Sequence, residues 1–346
     1  MAQSRSQSGR VNDLNKRLKI ESPNELLELA IGYQKSQVLF SFVELEIPKI
    51  LHEKKLSAKQ LAEKLSIDLL AMERFLNACV VVGLLERENE IYRNTTLAEY
   101  FLVEGNQFYL GGQIKRYKNR SYPLWENLTE KLKMWKYGKS NSETPEDEDQ
   151  GADSMAEQHN LALLHGRALA EAFDFSTYKR VLDLGGGTGA MSIGLCESYK
   201  NLNATVFDLP ENVEKAGEFI AKSNLQTRVE TVGGDVTKDE LPKQFDVALL
   251  ANLVSVFDVE TNKKLLANLY KNLPENGACI ISGWILDEER LSPEVSVLFC
   301  LEDVSWNSPD VEKSFSIYKS WLEEAGFKKI EYKTYLEPTR LICAFK

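Results

Sequence analysis

The 346-residue sequence is poor in the groups that build metal centres, disulfide frameworks and membrane spans. It has three histidines and five cysteines. Cys79, Cys196, Cys279, Cys300 and Cys343 are odd in number, far apart and mostly flanked by apolar residues. They are expected to be reduced, buried thiols of a cytoplasmic protein. No zinc or redox spacing occurs among them, and no metal is expected. No run of about 20 apolar residues is present, and the polar start MAQSRSQSGR lacks the apolar centre of a signal peptide. An excess of positive charge is missing too: 42 Lys and Arg against 52 Asp and Glu leave a net charge of −10. The bases are interleaved with acids, so neither a nucleic-acid nor a membrane partner is expected. The one locally basic run, Lys115 to Arg120, reads as a solvated helix face.

What is present suggests two domains, since a chain of this length exceeds one average domain. Residues 1–22 read as a flexible N-terminus. Residues 23–104 read as a helical, winged-helix unit. ELLELAIGYQKSQVLFSFVELEIPKIL carries apolar residues at helical spacing with a break near Pro48. Ser57 then caps AKQLAEKL, AMERFLNACVVVGLL makes a second helix ending at Gly83, and ERENEIYRNT reads as a two-stranded wing. DNA binding is disfavoured because the second helix has few side chains able to reach base edges. Residues 105–170 form a helical, aromatic-rich connector with an acidic loop at 140–152. From 171 to 346 strands and helices alternate, as in a Rossmann-like α/β sheet, with the last two strands forming an antiparallel hairpin.

The stretch VLDLGGGTGA is an apolar strand that breaks into a glycine-rich turn. Taken alone it satisfies the dinucleotide pattern through Gly185, Gly187 and Ala190. It equally satisfies the D-x-G-x-G-x-G pattern of S-adenosylmethionine (SAM) sites, with Asp183 as the acid. Asp208, about twenty residues on, suits the ribose hydroxyls of either cofactor. The later strand ends favour SAM. Gly234-Asp235-Val236 offers a carboxylate to the adenine amino group, FDVALLANL ends at Asn252, and Asp183 supplies negative charge to a cofactor that has a sulfonium and no pyrophosphate.

With these pieces, and with LLHGRAL, ATVFDLPENVEKA and WLEEAGF, nearly the whole chain resembles the small-molecule O-methyltransferases. The likeness is to relatives of the plant caffeate and hydroxyindole enzymes, above all their bacterial natural-product branch. The resemblance implies an N-terminal winged-helix domain used for homodimerisation and a SAM-dependent methyltransferase domain. It also implies a small-molecule acceptor held between them. The SAM contacts it implies are Gly185, Gly187, Asp208 and Asp235, and Leu209 and Val236 adjoin them in the expected site.

The catalytic region departs from the family. Where relatives carry a histidine that removes the acceptor's proton, this chain has Ser255, and Gly283 stands where an acid is common. A neutral hydroxyl is no general base near neutral pH, whereas imidazole is. The substitutes considered are His165 in LLHGRAL and the pair Glu302 and Asp303, with Glu312 a lesser candidate. His159 and His165 are six apart and face different ways, and His52 reads as a surface residue. Two carboxylates beside Ser255 would suit an amine acceptor, although hydroxyl and enolate acceptors stay open. So do a SAM-retaining enzyme of rearrangement, elimination or hydroxylation, and a winged-helix DNA-binding regulator.

Overall fold

The computed structural model describes residues 20–136, 152–306 and 313–346. The acidic stretch 140–151, Glu312 and most of the N-terminal segment fall outside these residues. The chain divides into a unit ending at Glu99 and a unit running from Tyr100 to Lys346.

The first unit begins with α1 (Pro23–Ala30), α2 (Tyr33–Glu44) and α3 (Ile47–Glu53). Ser22 and Glu25 form a reciprocal capping box at the start of α1. The break lies at Leu45 and Glu46 and not at Pro48, which sits in the first turn of α3, where its missing N–H costs nothing. Next come β1 (Leu56–Ser57), α4 (Ala58–Leu65) and α5 (Leu69–Val81), followed by β2 (Leu85–Glu88) and β3 (Ile91–Asn94). Ser57 caps α4 with Gln60 as its partner, and Asp68 caps α5. The wing is three-stranded, because β1 adds to the hairpin in the order β1-β3-β2. Phe42, Ile47, Leu61, Met72 and Leu76 form its buried interior, whereas α1 has no buried residue. α6 (Thr96–Leu102) crosses into the second unit.

The second unit opens with α7 (Gly111–Arg116), a π-helical turn over Tyr117–Ser121, α8 (Tyr122–Glu126) and α9 (Leu128–Met134). The long α10 (Ala152–Ala172) leads into the sheet. Seven strands follow: β4 (Arg180–Leu184), β5 (Asn203–Asp208), β6 (Val229–Gly233), β7 (Val247–Ala251), β8 (Ala278–Gly283), β9 (Lys329–Leu336) and β10 (Thr339–Phe345). They lie in the order β6-β5-β4-β7-β8-β10-β9, parallel except for β10. The intervening helices are α11 (Ala190–Ser198), α12 (Pro210–Lys222), α13 (Val259–Asn272), α14 (Glu294–Trp306) and α15 (Phe315–Ala325).

The central strands are apolar on both faces because helices cover both. Val181, Val206, Val247 and Ile280 pack on the side of α10 and α11, and Leu182, Phe207, Leu250 and Ile281 on the side of α13 and α15. The helices α10 and α11 meet at glycines. A Cβ on Gly166 would lie 2.8 Å from Met191 O, and one on Gly194 2.8 Å from Arg167 N. Strand order reverses at β4, with β5 and β6 to one side and β7 and β8 to the other. In open α/β sheets such a reversal opens a crevice at the carboxyl ends of the strands, where ligands bind.

Candidate functional site

The glycine turn stands at that crevice. Gly185, Gly187 and Gly189 have φ of 62°, 55° and 71°, left-handed values that glycine adopts without strain. Gly189 caps α11, and the Gly187 N–H donates to Asp208 Oδ2 at 2.7 Å. Asp208 Oδ1 accepts from the Leu209 N–H and from Asn212 Nδ2, each at 2.7 Å. Asp208 is therefore fixed at the end of β5 beside the turn.

Asp183 is wholly buried beneath the turn. Its Oδ2 accepts from Ser192 Oγ at 2.7 Å, and its Oδ1 has no hydrogen-bond partner among the described residues. Burial, opposed by the Ser192 hydrogen bond and assisted by the nearby Asp208, pushes its carboxyl up to about 7. Asp235, half-buried beyond β6, holds Lys238 Nζ, Thr237 Oγ1 and Thr237 N at 2.6, 2.6 and 2.8 Å. Its carboxyl is drawn down to about 2, chiefly by Lys238 and then by Thr237.

On the other side of β4 lies a cavity lined by Asn252, Val254, Ser255, Ile281, Ser282, Gly283, Trp284, Ile285, Lys313 and Tyr318. Asn252 follows β7 at φ 55° and donates its N–H to Ser282 O at 2.8 Å. Ser255 sits on a short 3-10 turn, and its hydroxyl donates to Asn252 O at 3.2 Å. Asn262 on α13 holds that turn by donating to Val254 O and Phe257 O, each at 2.9 Å. Trp284 stacks on Phe299 with ring centroids 3.7 Å apart, and Tyr117 of the π-turn tilts against the same ring.

The two histidines of α10 are not among the residues lining this cavity. His159 is buried under the glycine turn, its Nδ1 2.8 Å from Thr188 Oγ1 and its ring stacked on Phe219 at 3.8 Å. Burial, reinforced by Lys222, lowers it to about 4, so it is a neutral hydrogen-bonding group. His165 lies against the terminal hairpin, its Nε2 3.5 Å from Thr339 Oγ1, near the Tyr335 ring, and burial lowers its pKa. His52 is exposed and pairs with Glu99.

Glu302 and Asp303 do not stand open in the cavity. Asp303 bonds Lys313, and the buried Glu302 lies within electrostatic reach of Arg116 and Tyr117. Lys313, Tyr318, Trp284 and Asn262 are site residues that reading the sequence missed, because no motif contains them and only the fold brings them to β7 and β8.

Family models add the observation that places the chain. Residues 27–104 match the O-methyltransferase dimerisation domain and residues 124–328 the O-methyltransferase domain. The chain belongs to the O-methyltransferase family. Among curated relatives, 3-hydroxy-5-methyl-1-naphthoate 3-O-methyltransferase from Streptomyces sahachiroi is 30% identical over 329 residues, covering 91% of this chain and 92% of that one. The N,N-dimethyltransferase OxyT of Streptomyces rimosus is 29% identical, covering 89% and 92%. Human N-acetylserotonin methyltransferase in complex with SAM superposes with a TM-score of 0.82 at 25% identity, covering 100% of this chain and 99% of that one. The protein is a SAM-dependent methyltransferase of this family, built on the mixed α/β sheet and helical dimerisation domain that its relatives share.

The turn fits SAM on its own evidence. A buried carboxylate oxygen without a partner lies beneath backbone that no side chain could crowd, since a Cβ on Gly186 would lie 2.8 Å from Asp183 Cγ. Negative charge there, and Asp208 beside the turn, suit a cationic nucleoside. Among the described residues no group of three or more His, Cys, Asp or Glu is placed to hold a metal.

Proposed function

We propose that the chain methylates a hydroxyl of a small aromatic acceptor, as a cytoplasmic homodimer. One observation carries the reading: the glycine turn with Asp183 and Asp208, and the cavity lined by Asn252, Ser255 and Trp284, flank β4 on opposite sides of one crevice. When bound, SAM supplies an electrophilic methyl group. Gly185, Gly187, Asp208, Leu209, Asp235 and Val236 would hold its nucleoside, Asp183 its positive charge, and Asn252 the border between cofactor and acceptor. Trp284 gives the acceptor ring a flat apolar wall.

Among the described residues lining the cavity there is no imidazole and no carboxylate. Ser255 spends its proton on a backbone carbonyl and has no hydrogen bond to a base among the described residues. Catalysis then rests on positioning, which can supply roughly 7–11 kcal/mol, whereas a general base adds typically about 10²–10⁴-fold. An acceptor hydroxyl that is already acidic needs no such base. The amine acceptor suggested by Glu302 and Asp303 is less well supported, because both acids already have cations beside them. The missing base equally favours a second reading, a SAM-retaining enzyme that does not transfer the methyl.

Homodimerisation is supported by the dimerisation-domain match and by exposed Leu26, Leu27, Leu29 and Ile31 on a helix with no buried residue. Cytoplasmic residence is supported by free cysteines, buried except for the half-buried Cys300. Among the described residues no helix is long and apolar enough to cross a membrane.

Incubation with methyl-labelled SAM and a panel of hydroxynaphthoates, phenols and arylamines tests the assignment. Label in an aryl ether is the expected result. Unlabelled, rearranged acceptor with SAM intact would establish the second reading.

A further inference from the structure

We infer that Lys313 and Tyr318 form an anion subsite in the acceptor cavity, which takes an anionic oxygen carried by the aromatic acceptor, either a ring carboxylate or an aryl oxide. The inference rests on reading the cavity as the acceptor site. Both side chains line it, and both are more than nine-tenths buried, at 8% and 3% exposure. Among the described residues lining the cavity, Lys313 is the only Lys, Arg, Asp or Glu.

An ammonium has three N–H donors and no acceptor. Among the described residues, the one hydrogen bond made by Lys313 Nζ goes to Asp303 on α14. Its two other donors have no partner among the described residues. The Tyr318 hydroxyl makes no hydrogen bond among the described residues, and burial raises its pKa, so it is a neutral O–H that can donate. Ser255 is a further polar residue of the lining.

A buried cation is costly without compensation. Asp303 pairs with Lys313 while using only part of its hydrogen-bonding capacity, and an anionic oxygen on the ligand satisfies the rest. The charge balance among the described residues favours an anion over a cation. Asp303 is matched by Lys313, and Glu302 lies by Arg116, so among the described residues neither of these carboxylates is left to a cationic acceptor. The aromatic part follows from Trp284, whose ring is held flat by Phe299 and gives a planar ligand a surface to stack on. With an aryl oxide as ligand, the O–H proton leaves to bulk water, and the oxide stays beside Lys313 in the ionised form that a methyl acceptor needs.

Calorimetry with S-adenosylhomocysteine-saturated protein tests this with four probes that share one ring: 1-naphthoate, 1-naphthamide, 2-naphthol and 1-naphthylmethylammonium. Naphthoate is expected to bind at least about tenfold more tightly than the amide, a neutral group of the same shape in which an NH2 donor replaces one acceptor oxygen. Naphthol, if the oxide is taken, should titrate at least one pH unit below its value in water when its absorbance is followed in the complex. Lys313→Met should erase both effects, Lys313→Arg should keep most of the naphthoate preference, and Tyr318→Phe should reduce it by a smaller factor. Each variant is checked for unchanged S-adenosylhomocysteine affinity and melting temperature. Should Lys313→Met fail to fold, Lys313→Arg and Tyr318→Phe still decide. An unchanged naphthoate preference in Lys313→Met, or in Tyr318→Phe if that is the only variant to fold, overturns the subsite. So does tighter binding of the ammonium probe, or no binding of any probe to wild type. If the wild type does not bind S-adenosylhomocysteine at all, the cofactor reading itself is what fails.

Discussion

At the scale of single residues, two carboxylates with different surroundings are expected to behave differently. Asp208 holds the Gly187 N–H, the Leu209 N–H and Asn212 at once. Asp208→Ala removes the proposed ribose acceptor and frees the turn. It should weaken S-adenosylhomocysteine binding by about tenfold or more in calorimetry, given the strength of charge-assisted hydrogen bonds. Asp183 should make binding depend on pH. Its carboxyl stands at about 7 against an ordinary value of 3.8. A cationic ligand favours the ionised form, so affinity should rise as pH climbs through about 7, with proton release visible as a buffer-dependent binding enthalpy. The stability of the ligand-free protein should move in the opposite direction. The folded state holds a proton that the unfolded chain gives up near 3.8. This group's contribution is therefore complete below that value and is lost as pH rises through about 7. Asp183→Asn should flatten both dependences. That these two acids stand around the glycine turn was legible from the sequence, because they lie at the ends of two strands at a fixed spacing from the glycines. Lys313 and Tyr318 were not, since they reach the cavity only through the packing of the segment after α14.

Among the elements, the crossing of α10 and α11 is the joint on which the cofactor turn depends. Gly166 and Gly194 let the two backbones meet, and His159 on α10 then reaches Thr188 inside the turn. Gly166→Ala or Gly194→Ala should push the helices apart at a cost of about 1–3 kcal/mol, as overpacked interfaces do. The melting temperature should fall and the KM for SAM should rise, while the KM for the acceptor changes less. A lowered melting temperature with an unchanged KM for SAM would uncouple the joint from the turn. Such crossings are hard to read from sequence. LLHGRAL shows a helix with a glycine in it, but not that another glycine, Gly194, lies opposite. The strands were easier: β4 covers the RVLDL segment read from the apolar pattern, and β9 and β10 form the expected hairpin. The wing's third strand is only two residues long, too short for any alternation to show.

For the molecule as a whole, α1 carries the prediction. Leu26, Leu27 and Leu29 are each more than half exposed on a helix that buries nothing. Replacing Leu27 and Leu29 together by Asp should convert a dimer into a monomer in light scattering, leaving the helical content of the chain nearly intact. A wild-type protein that is monomeric at micromolar concentration would refute the proposed assembly.

The place of β10 in the sheet has a consequence for how the protein is made. This strand follows every other in the chain, yet it lies between β8 and β9, antiparallel to both. During synthesis from the N-terminus, the Rossmann-like half up to β8 can assemble while its last strand still presents an open edge. That edge closes only when residues 339–345 leave the ribosome. Stalled or truncated chains lacking this segment would expose the row of backbone groups on Ala278–Gly283, a template for pairing with another nascent chain. Ribosome-bound chains released just before Thr339 should therefore aggregate or recruit chaperones, whereas chains that include Phe345 should resist protease.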